Sequence, residues 1–119
     1  MFRFECFEPE NNHKKYYEIE IVDDPASNEK TMLLIRHCEI GQEAEFKPYK
    51  VGSKEEIMEE LKVHVLRRQK HRYVPMSPGA ENIADGLGWT DWREEKAKRY
   101  PNDNKQSNGW TSGQTTQSP

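Results

Sequence analysis

Apolar residues are scarce in this chain, and its last 44 residues have almost none of the large aliphatic ones. Only 33% of the 119 residues are hydrophobic, against 33% charged. Of the 20 Leu, Ile, Val and Phe residues, 18 lie in residues 1–75, which leaves Ile83 and Leu87 for the last 44. One core ending near residue 75 is therefore expected, in a chain too short for an enzyme built around an interdomain cleft. No stretch approaches the roughly 18 consecutive apolar residues of a membrane span. The start of the chain also lacks the basic and apolar regions of a signal peptide, so a cytoplasmic setting away from membranes is expected. Cysteine is equally sparse: Cys6 and Cys38 sit in no C-x-x-C pair, and free thiols are the expectation.

Chemistry-bearing motifs are missing as well. His13, His37, Cys38, His64 and His71 are scattered without zinc-ligand spacing, so neither a metal site nor a cofactor is expected. There is no P-loop, nucleophile elbow or H-E-x-x-H, and the many carboxylates read as solvated faces, which argues against an enzyme.

What the chain does have is a charge gradient hidden beneath a formal net charge of −3. Residues 1–60 carry 8 Lys/Arg and 15 Asp/Glu, residues 61–75 carry 5 and 0, and residues 76–119 carry 5 and 6. A short basic segment thus sits on an acidic body, an asymmetry that can mark a footprint for a polyanion.

Phe2, Phe4 and Cys6 alternate with polar residues, the period of a half-buried strand. In a second strand Tyr17, Ile19 and Ile21 share one face, while Tyr16, Glu18 and Glu20 share the other. Met32 to Ile35 form a third, interior strand that Gly41 closes, and Phe46 to Tyr49, containing Pro48, reads as an edge strand. Ser53-Lys54-Glu55-Glu56 is a capping box. It opens an amphipathic helix to about Lys70 with a stripe of Ile57, Met58, Leu61, Val65 and Leu66. The fold class is α+β, a small antiparallel sheet with one long helix packed across it, followed by a short helix and a flexible tail.

Three parts are expected. Residues 1–75 form a domain that folds alone. In 76–101, Met76 to Gly79 act as a linker to a short helix that Thr90 caps, with acids early and bases late. Residues 102–119 form a disordered polar tail.

The order of Lys14-Lys15-Tyr16-Tyr17-Glu18-Ile19, a turn, an apolar strand ending at Ile40-Gly41, then Ser53-Lys54-Glu55-Glu56 and a helix finishing Arg67-Arg68-Gln69-Lys70-His71-Arg72-Tyr73 resembles the WGR domain over residues 1–75. The resemblance implies a small antiparallel sheet carrying one helix, and an association with DNA. Where the family has Trp-Gly-Arg, this chain has His37-Cys38-Glu39, which shrinks the stacking face and puts a repelling charge where an attracting one stood.

Candidate nucleic-acid contacts are therefore Lys14, Lys15, Tyr16 and His37, with Lys62, Arg67, Arg68, Lys70 and Arg72 of the basic helix end. Tyr16 or Tyr17 is expected to face solvent. Trp89, Trp92 and Trp110 are candidate anchors for a protein partner, although Trp89 and Trp92 could equally dock the short helix onto the domain. The leading expectation is a non-enzymatic nucleic-acid-binding module, most simply for DNA. The alternative is a protein-interaction adaptor, regulator or inhibitor whose altered motif no longer binds DNA.

Overall fold

The computed structural model describes residues 1–101. The expected polar tail, with Trp110, lies outside them. Five strands form one antiparallel sheet: β1 Phe2–Glu8, β2 His13–Asp24, β3 Ser27–Glu39, β4 Lys47–Gly52 and β5 Val74–Pro75, in the order β4-β3-β2-β1-β5. Helices α1 Lys54–Lys70, α2 Pro78–Gly86 and α3 Trp92–Arg99 complete an α+β fold. Pro48 lies on edge strand β4, at a register shift opposite Leu34, where its missing N–H costs the ladder least.

Strand alternation sorts the residues onto two faces. Phe4, Ile19 and Leu33 are fully buried toward the helices, where Ile57, Leu61 and Val65 of α1 meet them. By area arithmetic, each such side chain adds about 1.5–3 kcal/mol of hydrophobic stabilisation. The capping box forms as the sequence predicts: the Glu56 amide donates to Ser53 Oγ at 3.1 Å, and the Ser53 amide donates to Glu56 Oε1 at 2.9 Å. Gly52 leaves room for it, since a Cβ there would stand 2.6 Å from that carboxylate oxygen.

The helix stripe differs from expectation at its margins. Met58 and Leu66 are exposed, and His64 is buried in line with Ile57, Leu61 and Val65. Residues 57, 61, 64, 65 and 68 make the inward face, because 3.6 residues per turn carry 58 and 66 to its flank.

The larger departure follows residue 75. Ser77 caps α2, accepting from the Ala80 amide at 3.3 Å, and Pro78 occupies the first turn, so Met76 to Gly79 start a helix and are no linker. Serine before proline is a helix-start signal as much as a breaker. Helix α2 covers β1 and β5 beside α1, and Ala80 and Ala84 are fully buried. Trp89 stacks on Phe4, centroids 6.1 Å apart, and Trp92 donates from Nε1 to Asp85 Oδ1 at 3.0 Å. Both indoles are buried, so they are core and not partner anchors. The core therefore crosses the boundary expected at residue 75, because two alanines, Ala80 and Ala84, and two indoles close what few aliphatics leave open. Thr90 does not cap α3; Asp91 holds the cap position, without a side-chain cap bond.

The opposite face of the sheet is polar and yet partly buried. Glu18 accepts from Arg3 Nη1 at 2.7 Å and from Arg36 Nε at 2.6 Å, and Glu5 accepts from Arg3 Nε and from the Tyr100 hydroxyl. Arg36 also lies over Phe46. Glu5 and Glu18 on this face, and Glu8 on the helix face, are buried, so the carboxylates are not all solvated; each is matched to guanidinium donors, the condition for burying a charge. Cys6 and Cys38 are free thiols. No helix among the described residues is long and apolar enough to cross a membrane.

Candidate functional site

The C-terminal end of α1 closes with an unusual cap. The Tyr73 amide donates to Arg68 O at 3.0 Å and the Arg72 amide to Gln69 O at 3.1 Å, the paired bonds of a Schellman motif. Arg72 occupies the left-handed position, at φ 69°, where glycine is usual. A side chain there costs on the order of 1–2 kcal/mol. Its guanidinium is turned onto β1, donating from Nε to Glu8 Oε2 at 2.8 Å. Arg99 Nη2 approaches the same oxygen at 3.4 Å. The hydrogen bond from Arg72 is the main reason the Glu8 carboxyl is held below the ordinary carboxylate range, burial opposing it.

Tyr73 then packs back toward the sheet. The Arg68 guanidinium lies 3.9 Å from the centroid of Tyr17 and 4.9 Å from that of Tyr73. Its Nε is buried without a hydrogen-bond partner among the described residues. Contact of this kind with two rings is worth roughly 0.5–2 kcal/mol each. His37 stacks on Tyr17 at 5.7 Å with the rings within 8° of parallel, and Tyr17 hydroxyl and His64 Nδ1 are hydrogen-bonded at 3.1 Å. Burial raises the Tyr17 and Tyr73 phenols and lowers the His64 imidazole, so all three are neutral near pH 7. His64 Nε2 lies 3.2 Å from Glu60 Oε2 without hydrogen-bond geometry, and the two form an ion pair only when the imidazole is protonated.

Beside this aromatic cluster, with Tyr73 as its aromatic floor, lies an open cleft of about 420 Å³ lined by Cys6, His13, Lys15, Arg68, Lys70, His71, Arg72 and Tyr73. A second depression of about 380 Å³ shares His13, Lys15 and Tyr73 with it and extends past Lys14 to His37, Cys38 and Glu39. The β1–β2 hairpin supplies one wall and the end of α1 the other. Lys15, Arg68, Lys70 and Arg72 bring permanent positive charge; Glu8 neutralises part of it from below, and exposed Glu39 opposes it at the far rim. Lys15 and Lys70 make no ion pair among the described residues, so their charge faces solvent.

The structure thus gathers Lys14, Lys15, His37, Arg68, Lys70 and Arg72 on one continuous surface. Three others do not serve as expected. Tyr16 borders the second depression but is buried: its hydroxyl donates to Gln42 O at 2.9 Å and Arg3 lies 4.6 Å over its ring, so it offers no stacking face. The loop after β3 covers it, and a loop that folds back is invisible to strand alternation. Lys62 pairs with Glu59 three residues before it on α1, about two turns short of the cleft, and Arg67 is exposed but does not line the cleft. Three further lining residues were not among the candidate nucleic-acid contacts: His13, next to Lys14, the Tyr73 floor and Cys6, which alternation with Phe4 already turns toward the helices.

Fold and site together define a small α+β domain with a cationic, aromatic-floored cleft. No protein-family model matches the chain, and no curated protein or solved structure matches it.

Proposed function

We propose that this chain is a non-enzymatic module that binds nucleic acid, DNA in the first instance, in the cleft between the β1–β2 hairpin and the end of α1. The observation that carries the reading is the convergence of four permanent cations from two elements distant in sequence, of which Arg68 lies over two rings, Arg72 rests on Glu8, and Lys15 and Lys70 face solvent. Lysine and arginine heads spaced across an open surface suit successive phosphates. Half-buried Tyr17 and exposed His37 form a stacked pair at the rim, whose outer imidazole face suits a base or ribose. A cytoplasmic setting accords with two free thiols. The WGR-like order of residues 1–75 supports the same reading, with Glu39 weakening it.

The test is retention on intact, nicked and single-stranded DNA at two salt concentrations. Binding that falls steeply with salt supports the proposal; no binding to any form at low salt defeats it.

A protein-adaptor reading rests on a different surface. Tyr49 and Val51 on β4, with Met58, Val63 and Leu66 on α1, are 37–53% exposed apolar residues, side chains a partner could cover.

A further inference from the structure

We propose that Cys6, Glu8 and His13 form a site for a soft or borderline divalent cation, zinc being the chemical type, at the inner wall of the cleft. Spacing along the sequence hides the site. Cys6 and Glu8 point to the same face of β1, and His13 is the cross-strand partner of Glu8 after a single 3-10 turn, Pro9–Asn11. The hairpin therefore folds a thiol, a carboxylate and an imidazole together, one ligating atom from each lying within 4.8 Å of the others. Ligands around tetrahedral zinc stand about 3.3–3.8 Å apart, given metal–ligand bonds of roughly 2.0–2.3 Å. His13 Nδ1 is already 3.5 Å from Glu8 Oε1. Closing the remainder requires small side-chain rotations, and His13 is exposed and able to make them.

The surroundings suit the role. Arg72 and Arg99 both engage Glu8 Oε2, which fixes the carboxylate and leaves Oε1 beside His13. Hydrogen-bonded orientation of this kind is how ligating carboxylates are ordinarily held. One thiolate and one carboxylate would face the zinc charge, the carboxylate being shared with Arg72 and Arg99 through its other oxygen and the thiol proton going to solvent on binding. Cys6 and His13 line the cleft, so a fourth position opens to it, where water or a phosphate oxygen could coordinate. A Cys-Glu-His set with one open position prefers zinc or cobalt over magnesium or calcium, which want oxygen alone.

Cobalt(II) chloride titrated into the full chain, reduced and without DNA, is the test. The proposal expects saturable one-to-one binding, with a sulfur-to-cobalt charge-transfer band and the intense visible absorption of tetrahedral cobalt, both displaced by zinc and not by excess magnesium. Cys38→Ser should keep these signals and Cys6→Ser should lose the charge-transfer band. His13→Ala, at an exposed position that leaves the core intact, should lose saturable binding while its melting temperature without metal is unchanged. Absence of the band in the wild type, its survival in Cys6→Ser, or unchanged cobalt affinity in His13→Ala would overturn the site. None of these readings depends on DNA binding.

Discussion

The two ends of α1 do different work with the same backbone. From its start to Val65, a capping box and three fully buried aliphatic side chains, Ile57, Leu61 and Val65, fasten the helix to β3 and β4. At its finish, Arg68 reaches the cleft from the inward face, Lys70 and Arg72 line it, and the backbone accepts a left-handed arginine to place one of them. The first end is consistent at every level, from propensity through cap to packing; the second departs from the preferred residue at one position. Departures of that kind concentrate where a side chain is needed for something other than packing.

The largest expected effect lies at the packed end. Leu61→Ala should cost about 2–5 kcal/mol in chemical denaturation, through lost burial and the cavity left behind. DNA affinity measured well below the new melting temperature should not change its salt dependence. A flattened salt slope in that variant would blur the division between the two ends.

A further contrast comes from the polar face of the sheet. Burial acts to raise the Glu18 carboxyl, but hydrogen bonds and charge from Arg3 and Arg36 outweigh it and hold the group below its ordinary value. A depressed carboxyl contributes stability above its unfolded value of about 4.3, and loses it as pH falls through the folded value. Glu18→Gln should therefore be less stable than wild type near pH 6, with the gap in melting temperature narrowing as pH falls from about 5 to 3. A gap that stays constant over that range would show that the charge on Glu18 does not support the fold.

The smallest effect isolates the strained end. Arg72→Ala and Arg72→Gly both remove the guanidinium and its bond to Glu8, but only glycine relieves the left-handed backbone. The glycine variant should be more stable than the alanine variant by about 1 kcal/mol in urea denaturation. Equal stabilities would mean that the cap is not left-handed in solution.

How much of this was readable in the sequence divides along similar lines. Alternation at Phe2, Phe4 and Cys6, the Ser53–Glu56 box and the heptad-like stripe place four strands and α1 to within a few residues, because each is a local signal repeated over several positions. Helix α2 was missed because Pro78 and Gly79 speak against a helix interior, while only Ser77 speaks for a helix start. Trp89 and Trp92 could be weighed either way, since nothing local tells an indole whether Phe4, 85 residues away in sequence, will be its neighbour. At the site, the cations of residues 68–72 were legible as composition. Their meeting with Lys15 and the burial of Tyr16 were not, because both depend on how β2 pairs and where the loop after β3 folds.

The central claim is that the cleft, and not basic charge in general, meets nucleic acid. Its most direct measurement is the slope of log affinity against log salt for duplex DNA. It should be taken on the wild type, on Lys15→Glu/Lys70→Glu inside the cleft, and on Lys62→Glu/Arg67→Glu outside it, each pair changing the net charge equally. The account predicts that the cleft pair weakens binding and flattens the slope by about 1.8, two contacts at roughly 0.9 each, while the outside pair leaves the slope near the wild-type value. Equal losses from both pairs, or an unchanged slope in the cleft pair, would contradict it.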